Sequence, residues 1–232
     1  QKYMKKIILS IVILLSFTIN FNANSHVAHY AKFNYLEYEL FRNNKLIGYH
    51  KYDFIRENDV LNVKSEVNFI IKKLGVELYK YFALSEEIYR NDKFYQFSSK
   101  TNQNKKEKYV NISIDQLDQS LVIDGSSYKG KTNIDNIVGT WWNHEILKTK
   151  AQISAISGRV IEQTVTFIGK EKIKIGDKTY NTLRFNFKSS DQSLPENKQL
   201  NTDIWYEENT YLWVKAAFEK TGLWEYRIKI HK

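Results

Sequence analysis

Among the 232 residues of this chain, His50 comes nearest to a group that could do chemistry. It falls in the stretch Leu46–Ile55, where Leu46, Gly48, Tyr52 and Phe54 share its face if the stretch is a strand. An imidazole titrates near neutrality and can serve as acid, base or ligand. The other reading is a core histidine bonded to a tyrosine or a backbone carbonyl. No neighbour in the sequence decides between the two. The remaining histidines do not make a metal set. His26 and His29 have a spacing that takes copper or nickel adventitiously, His144 stands alone and His231 is next to the end. No metal and no cofactor is expected.

Other reactive arrangements are missing. The chain has no cysteine, which removes thiol catalysis, thiolate-bound zinc and iron–sulfur chemistry. It has no G-x-S-x-G elbow and no phosphate-cradling glycine loop. Glu86 and Glu87 are adjacent, so on a strand they point to opposite faces and do not pair locally. Carboxylates brought together from distant strands stay open.

Aromatic residues supply the other candidates. The five tryptophans are Trp141, Trp142, Trp205, Trp213 and Trp224. Such rings can line an apolar or sugar-binding cavity, or simply fill a core. Adjacent residues of a strand cannot both face inward, so one of Trp141 and Trp142 is expected to edge a cavity or interface. The expected ligand-contacting set is His50, Tyr52, Tyr79, Tyr81, Trp141, Trp142 and Trp205, with no catalytic residue beyond the candidate His50.

The elements that must hold these residues are strands. Leu36, Tyr38 and Leu40 alternate with Glu37 and Glu39. The same period of two runs through Leu61–Ile71, Val110–Ile114, Leu183–Phe187 and Trp224–Ile230. One apolar face and one wet face describe an antiparallel sheet. Asn43-Asn44, Glu57-Asn58-Asp59, Asn91-Asp92, Asp124-Gly125, Gly176-Asp177, Glu208-Asn209 and Thr221-Gly222 punctuate the runs as hairpin turns. In Val76–Tyr89, Leu78, Phe82, Leu84 and Ile88 face one way and Tyr79, Tyr81 and Ala83 the other, so cover on both sides is expected. The cover is expected from residues 132–154, whose Ile134, Ile137, Val138, Trp141 and Trp142 suit a short helix or lid. A ligand cavity would lie in the gap between them. Ser189–Gln199 reads as a polar loop holding the only proline, Pro195.

The beginning of the chain bears on compartment. Lys5 and Lys6 follow Met4, Ile7–Ile19 is an uncharged apolar run, and Ala23-Asn24-Ser25 offers small residues. Charged, apolar and small-residue regions in that order are those of a secretory signal peptide. The run is short of the ~20 residues a spanning helix needs. Cleavage after Ser25 is expected, with Gln1–Tyr3 upstream of the start. The net charge of +9 could suit anionic lipids or nucleic acid, as could Tyr79-Lys80-Tyr81. Export argues against nucleic acid, and a lysine- and asparagine-rich composition accounts for the basic balance.

Several short motifs recur in a recognisable order: Ile47-Gly48-Tyr49-His50, Leu74-Gly75-Val76 leading into Tyr79 and Tyr81, Glu86-Glu87-Ile88-Tyr89, Thr101-Asn102, Val122-Ile123-Asp124-Gly125, Trp142-Asn143, Gly169 and Trp205-Tyr206. This order resembles DUF6134, a bacterial family of exported proteins of unknown function. Tyr89 stands where the family pattern has tryptophan, and Glu207 where it has aspartate. The resemblance implies a fold and carries no activity with it. In general form the closing strands are also similar to the DUF3108 group and to lipoprotein-carrier half-barrels.

The expected architecture is all-β: an antiparallel meander curled into a half-open barrel, with a short helix or lid near residues 132–154 and an N-terminal signal helix. Residues 1–25 form the signal peptide, 26–33 a flexible leader and 34–232 a single β-rich domain. The expected function is a non-enzymatic envelope protein, periplasmic or secreted, binding a small apolar or amphipathic ligand or lipid in its concave face. Membrane association would be peripheral at most, and nucleic acid is not a partner. The alternatives are a hydrolase-like or isomerase-like enzyme using His50 and a structural subunit binding a protein partner.

Overall fold

The computed structural model describes residues 30–232. The expected signal peptide and residues 26–29 of the leader lie outside the described residues. The first half of the chain forms β1 (Tyr35–Arg42), β2 (Lys45–Glu57), β3 (Val60–Lys73), β4 (Val76–Arg90), β5 (Lys93–Gln103), β6 (Lys106–Asp115), β7 (Ser120–Gly125) and β8 (Lys129–Asn133). The second half forms β9 (Ile137–Val138), β10 (Ala151–Ile153), β11 (Val160–Ile175), β12 (Lys178–Ser189), β13 (Asn201–Glu207), β14 (Trp213–Glu219) and β15 (Leu223–His231). The described strands make one 15-stranded sheet in the order β8 to β1, then β15 back to β9. Each half is a meander, and the two halves meet where β1 pairs antiparallel with β15, with Leu40 opposite Tyr226. The β9–β10 pair is parallel.

Turn chemistry sets the register. Asn43-Asn44 and Asn91-Asp92 hold the positive φ of tight hairpins, at 49° and 62° and at 47° and 63°. Asp124-Gly125 departs from expectation. β7 runs through Gly125, and a Cβ there would lie 2.6 Å from the Ser157 carbonyl oxygen. That glycine permits close backbone approach instead of a turn.

The inner faces of the alternating strands meet to form the core. Leu36, Tyr38 and Leu40 are fully buried. A smaller cluster joins Phe97, Val110, Ile112, Leu121 and Ile123 to Val138 and Ile153. It packs β5–β7, near one edge of the sheet, on β9 and β10 at the other. This contact curls the sheet toward a barrel and covers part of its edges.

Three expectations are revised. First, β4 is covered on one side only: Leu78 and Leu84 are about half exposed, at 53% and 47%, while Tyr81 is buried. The convex face of the curled sheet has no second layer to receive them. Second, residues 132–154 cover the inner face of β4, Thr140 and Trp142 bonding to its Glu87, but they form no regular helix. They contain the end of β8, β9, a 3-10 helix at His144–Lys148 and β10. Asn143 Oδ1 caps that turn by accepting from the Glu145 N–H at 3.1 Å. The helix-like spacing came from an irregular chain that buries Trp142 and Ile146. Third, the leader is ordered from Tyr30. Tyr30 and Phe33 are buried, the Tyr30 hydroxyl donates to the Tyr211 carbonyl at 3.0 Å, and Arg56 donates to the Tyr30 carbonyl at 2.6 Å and the Phe33 carbonyl at 2.9 Å. Among the described residues no helix is long and apolar enough to cross a membrane.

Candidate functional site

His50 is placed by the middle of β2, opposite Val67 of β3 and Tyr38 of β1. Gly48, two residues earlier, lies against Phe69. A Cβ at position 48 would fall 2.5 Å from the Phe69 Cβ, so glycine lets the two strands close up beside the histidine. The imidazole sits 4.3 Å from the Tyr52 ring and meets the Tyr226 and Trp213 rings edge-on at 5.9 and 6.2 Å. The residue as a whole is half-buried, but both ring nitrogens are shut off from water and have no hydrogen-bond partner. Burial without a compensating charge lowers the His50 pKa to about 3. The ring is therefore neutral at physiological pH.

Trp141 forms the opposite wall. Its backbone is left-handed, with φ of 60°, and the Trp142 N–H donates back to the Thr140 carbonyl at 2.8 Å. A bulky residue at the centre of such a three-residue turn is strained. The turn is held by two tyrosines from the sheet: Tyr52 donates to the Thr140 carbonyl at 2.8 Å and Tyr206 to the Trp141 carbonyl at 2.8 Å. The Trp141 ring then meets Trp213 at 5.4 Å and Tyr226 at 5.6 Å, the same two rings that His50 touches.

Glu87 anchors the other side of this turn. It is buried on β4 and accepts from Trp142 Nε1 at 3.1 Å, from Thr140 Oγ1 at 3.3 Å and from the Tyr89 hydroxyl. Asn143 donates in turn to the Tyr89 oxygen at 3.2 Å. Burial raises the Glu87 pKa to about 7 against the pull of these donors. No cation is among its bonded partners.

Between His50 and Trp141 lies a cavity of about 270 Å³. Its wall includes Tyr52, Tyr81, Thr101, Gln152 and Tyr226, and none of its described lining residues is a lysine, arginine, aspartate or glutamate. Trp141 Nε1 and Thr101 Oγ1 are also buried without a well-formed hydrogen bond, although Tyr81 lies close enough to Thr101 to feel its hydroxyl. A larger groove of about 550 Å³ runs between Phe94, Ile137 and Lys148. Its rim carries Asp92, Asp135, Glu145 and Lys148, the ordinary chemistry of a solvated surface.

Of the expected contact residues, His50, Tyr52, Tyr81 and Trp141 come together on this cavity. Trp142 is buried behind the turn, against Tyr30, Phe54 and Tyr89. Tyr79 stacks on Phe69 at 6.0 Å, outside the cavity. Trp205 lies elsewhere, between Arg184 and Lys215 at 4.9 and 4.8 Å, with its N–H on Glu171. Of the adjacent tryptophans, Trp141 edges the cavity and Trp142 does not, and the pair sits in a turn and not on a strand. Glu87 and Tyr226 were not singled out from the sequence. Glu87 gave a faint signal, being the member of the Glu86-Glu87 pair that shares a face with Tyr81 and Tyr89. The buried histidine is not paired with an acid: its nitrogens meet no donor or acceptor among the described residues.

The comparisons agree with this architecture. The model of the family described as a domain of unknown function, DUF6134, matches residues 38–230. The chain belongs to that family. No curated protein matches it. Among solved structures, a β-barrel-like protein of the domain of unknown function DUF1849 from Brucella abortus is similar in fold. It shares 10% sequence identity and a TM-score of 0.59, over 85% of this chain and 96% of the other.

Proposed function

We propose that this DUF6134 protein is a non-enzymatic envelope protein that binds a small apolar or amphipathic molecule in the cavity between His50 and Trp141. The observation that carries the reading is the state of the cavity wall. His50, Trp141 and Thr101 present buried polar atoms that the protein itself leaves without good partners. Leaving such a group unsatisfied costs about 1–3 kcal/mol, and a bound molecule with a hydroxyl or carbonyl group would recover part of that after a side-chain rotation. The absence of charge around the cavity disfavours a strongly charged guest, whose desolvation nothing there would offset. Its volume lies just below the ~300–1,000 Å³ usual for drug-sized ligands, which favours a compact ligand or one end of a longer chain.

Binding is preferred to catalysis because His50 is neutral and has no acid, base or nucleophile bonded to it. An envelope location rests on the Met4–Ser25 pattern. Native mass spectrometry of the protein purified from its own envelope is the test. A co-purifying mass that is lost in Trp141→Gly supports the reading. Protein that carries no guest, and takes up none from an envelope lipid and metabolite extract, would overturn it.

A further inference from the structure

The hairpin between β3 and β4 stands out from its neighbours. The β2–β3 ladder ends at Gly48 opposite Phe69, and the β4–β5 ladder ends at Tyr81 opposite Gln103. From Ile70 to Tyr79, β3 and β4 therefore pair only with each other, past the last rungs of both flanking ladders. Every residue from Lys72 to Leu78 is exposed. Leu74 is 95% exposed, Val76 62% and Leu78 53%.

The turn itself is chemically out of place. Leu74 and Gly75 take φ of 50° and 81°, a geometry that favours asparagine, aspartate or glycine. The same chain uses Asn43-Asn44, Asn91-Asp92 and Asn104-Lys105 at comparable hairpins. At Leu74 alone of these first positions does it place a bulky apolar residue, which is strained there and buries nothing within the protein. Folding gains nothing from that choice, so it points to something outside the protein.

The surroundings say what that is. Lys72 and Lys73 precede the leucine, Lys80 follows this segment, and Glu77 is its single acid. The adjacent β5–β6 turn is tied to it, Asn104 N–H donating to the Lys80 carbonyl at 2.8 Å. That turn adds Lys105, Lys106 and Lys108 beside Glu107. An apolar tip ringed by lysines is matched to a bilayer surface: the apolar groups enter the headgroup boundary while the ammonium groups meet lipid phosphates.

We propose that the Leu74 hairpin docks the protein peripherally on a bilayer rich in anionic phospholipid. The test is co-sedimentation with vesicles of phosphatidylcholine alone and of phosphatidylcholine with about a quarter phosphatidylglycerol. Binding should be at least tenfold stronger to the anionic vesicles and should fall as salt rises. Leu74→Asn should weaken it about tenfold, while the melting temperature stays level or rises because asparagine suits the turn. Lys72→Glu with Lys73→Glu should abolish the preference for phosphatidylglycerol. The inference is overturned if wild type ignores both vesicles, or if Leu74→Asn binds them as well as wild type. Each variant can be checked for folding by its melt, so a failed fold would not be mistaken for failed docking.

Discussion

Trp142 and Glu87 stand 55 positions apart in the chain, yet the indole N–H donates to the carboxylate at 3.1 Å. One residue beyond Trp142 and two beyond Glu87, Asn143 donates to the Tyr89 oxygen at 3.2 Å. Two short motifs, Glu87-Ile88-Tyr89 and Trp142-Asn143, are thus the halves of one buried clamp. The clamp fixes the turn at Trp141, and that turn forms one wall of the cavity.

The first prediction concerns Glu87. Its folded pKa of about 7 stands above the ordinary 4.5. The folded state then holds a proton that the unfolded state has released, so this group's stabilisation is complete below pH 4.5 and is lost as pH rises through 7. Glu87→Gln should remove that decline, worth up to about 3 kcal/mol at roughly 1.4 kcal/mol per pKa unit. Urea unfolding at a series of pH values checks it. An unchanged slope in the variant would count against the assignment.

His50 works in the opposite direction. Its folded pKa of about 3 lies below the ordinary 6.5, so its contribution is complete above pH 6.5 and is lost as pH falls toward 3. Where the two windows overlap, Glu87 and His50 should partly cancel and leave wild type with a shallow dependence. His50→Phe should expose the fall in stability from pH 4.5 to 7 that Glu87 produces. The imidazole resonances of His50 should also stay put between pH 5 and 8 when followed by NMR; movement there would refute the assignment.

The adjacent tryptophans should respond unequally. Trp142→Ala empties a fully buried site and strips Glu87 of a donor, and is expected to cost about 3–5 kcal/mol. Trp141→Gly removes a half-buried ring but relieves a left-handed backbone that glycine accepts freely. Its loss of stability should be clearly smaller, and its effect should fall on the cavity. Denaturation midpoints of the two variants decide this. Equal losses would mean that the Trp141 turn carries no strain.

Gly48→Ala tests the close approach beside His50. The added Cβ would lie 2.0 Å from the Asn68 carbonyl oxygen, a contact only a shift of strand β3 can relieve. A loss of about 1–3 kcal/mol is expected from such overpacking, with altered fluorescence from the tryptophans near the cavity. A melt indistinguishable from wild type would place the strands farther apart than described.

Local alternation in the sequence was enough to determine that the chain is all-β, because one-sided burial leaves a period of two that needs no partner to be seen. The asparagine-rich turns at Asn43 and Asn91 were legible for the same reason: positive φ restricts residue type on the spot. The identity of the layer over each strand was not legible. Leu78 and Leu84 look buried in sequence and face solvent in the fold, since burial is set by what the curl brings near. Trp205 reads like Trp141, yet one lies between two cations and the other on the cavity. Glu87 reads like Glu86, and only the arrival of Thr140 and Trp142 from the other side of the sheet makes it a buried acid. The turn at residues 140–142 is anchored by Tyr52, Glu87 and Tyr206, all far away in the sequence, and so the segment that shapes the cavity was the one whose placement only the tertiary structure decided.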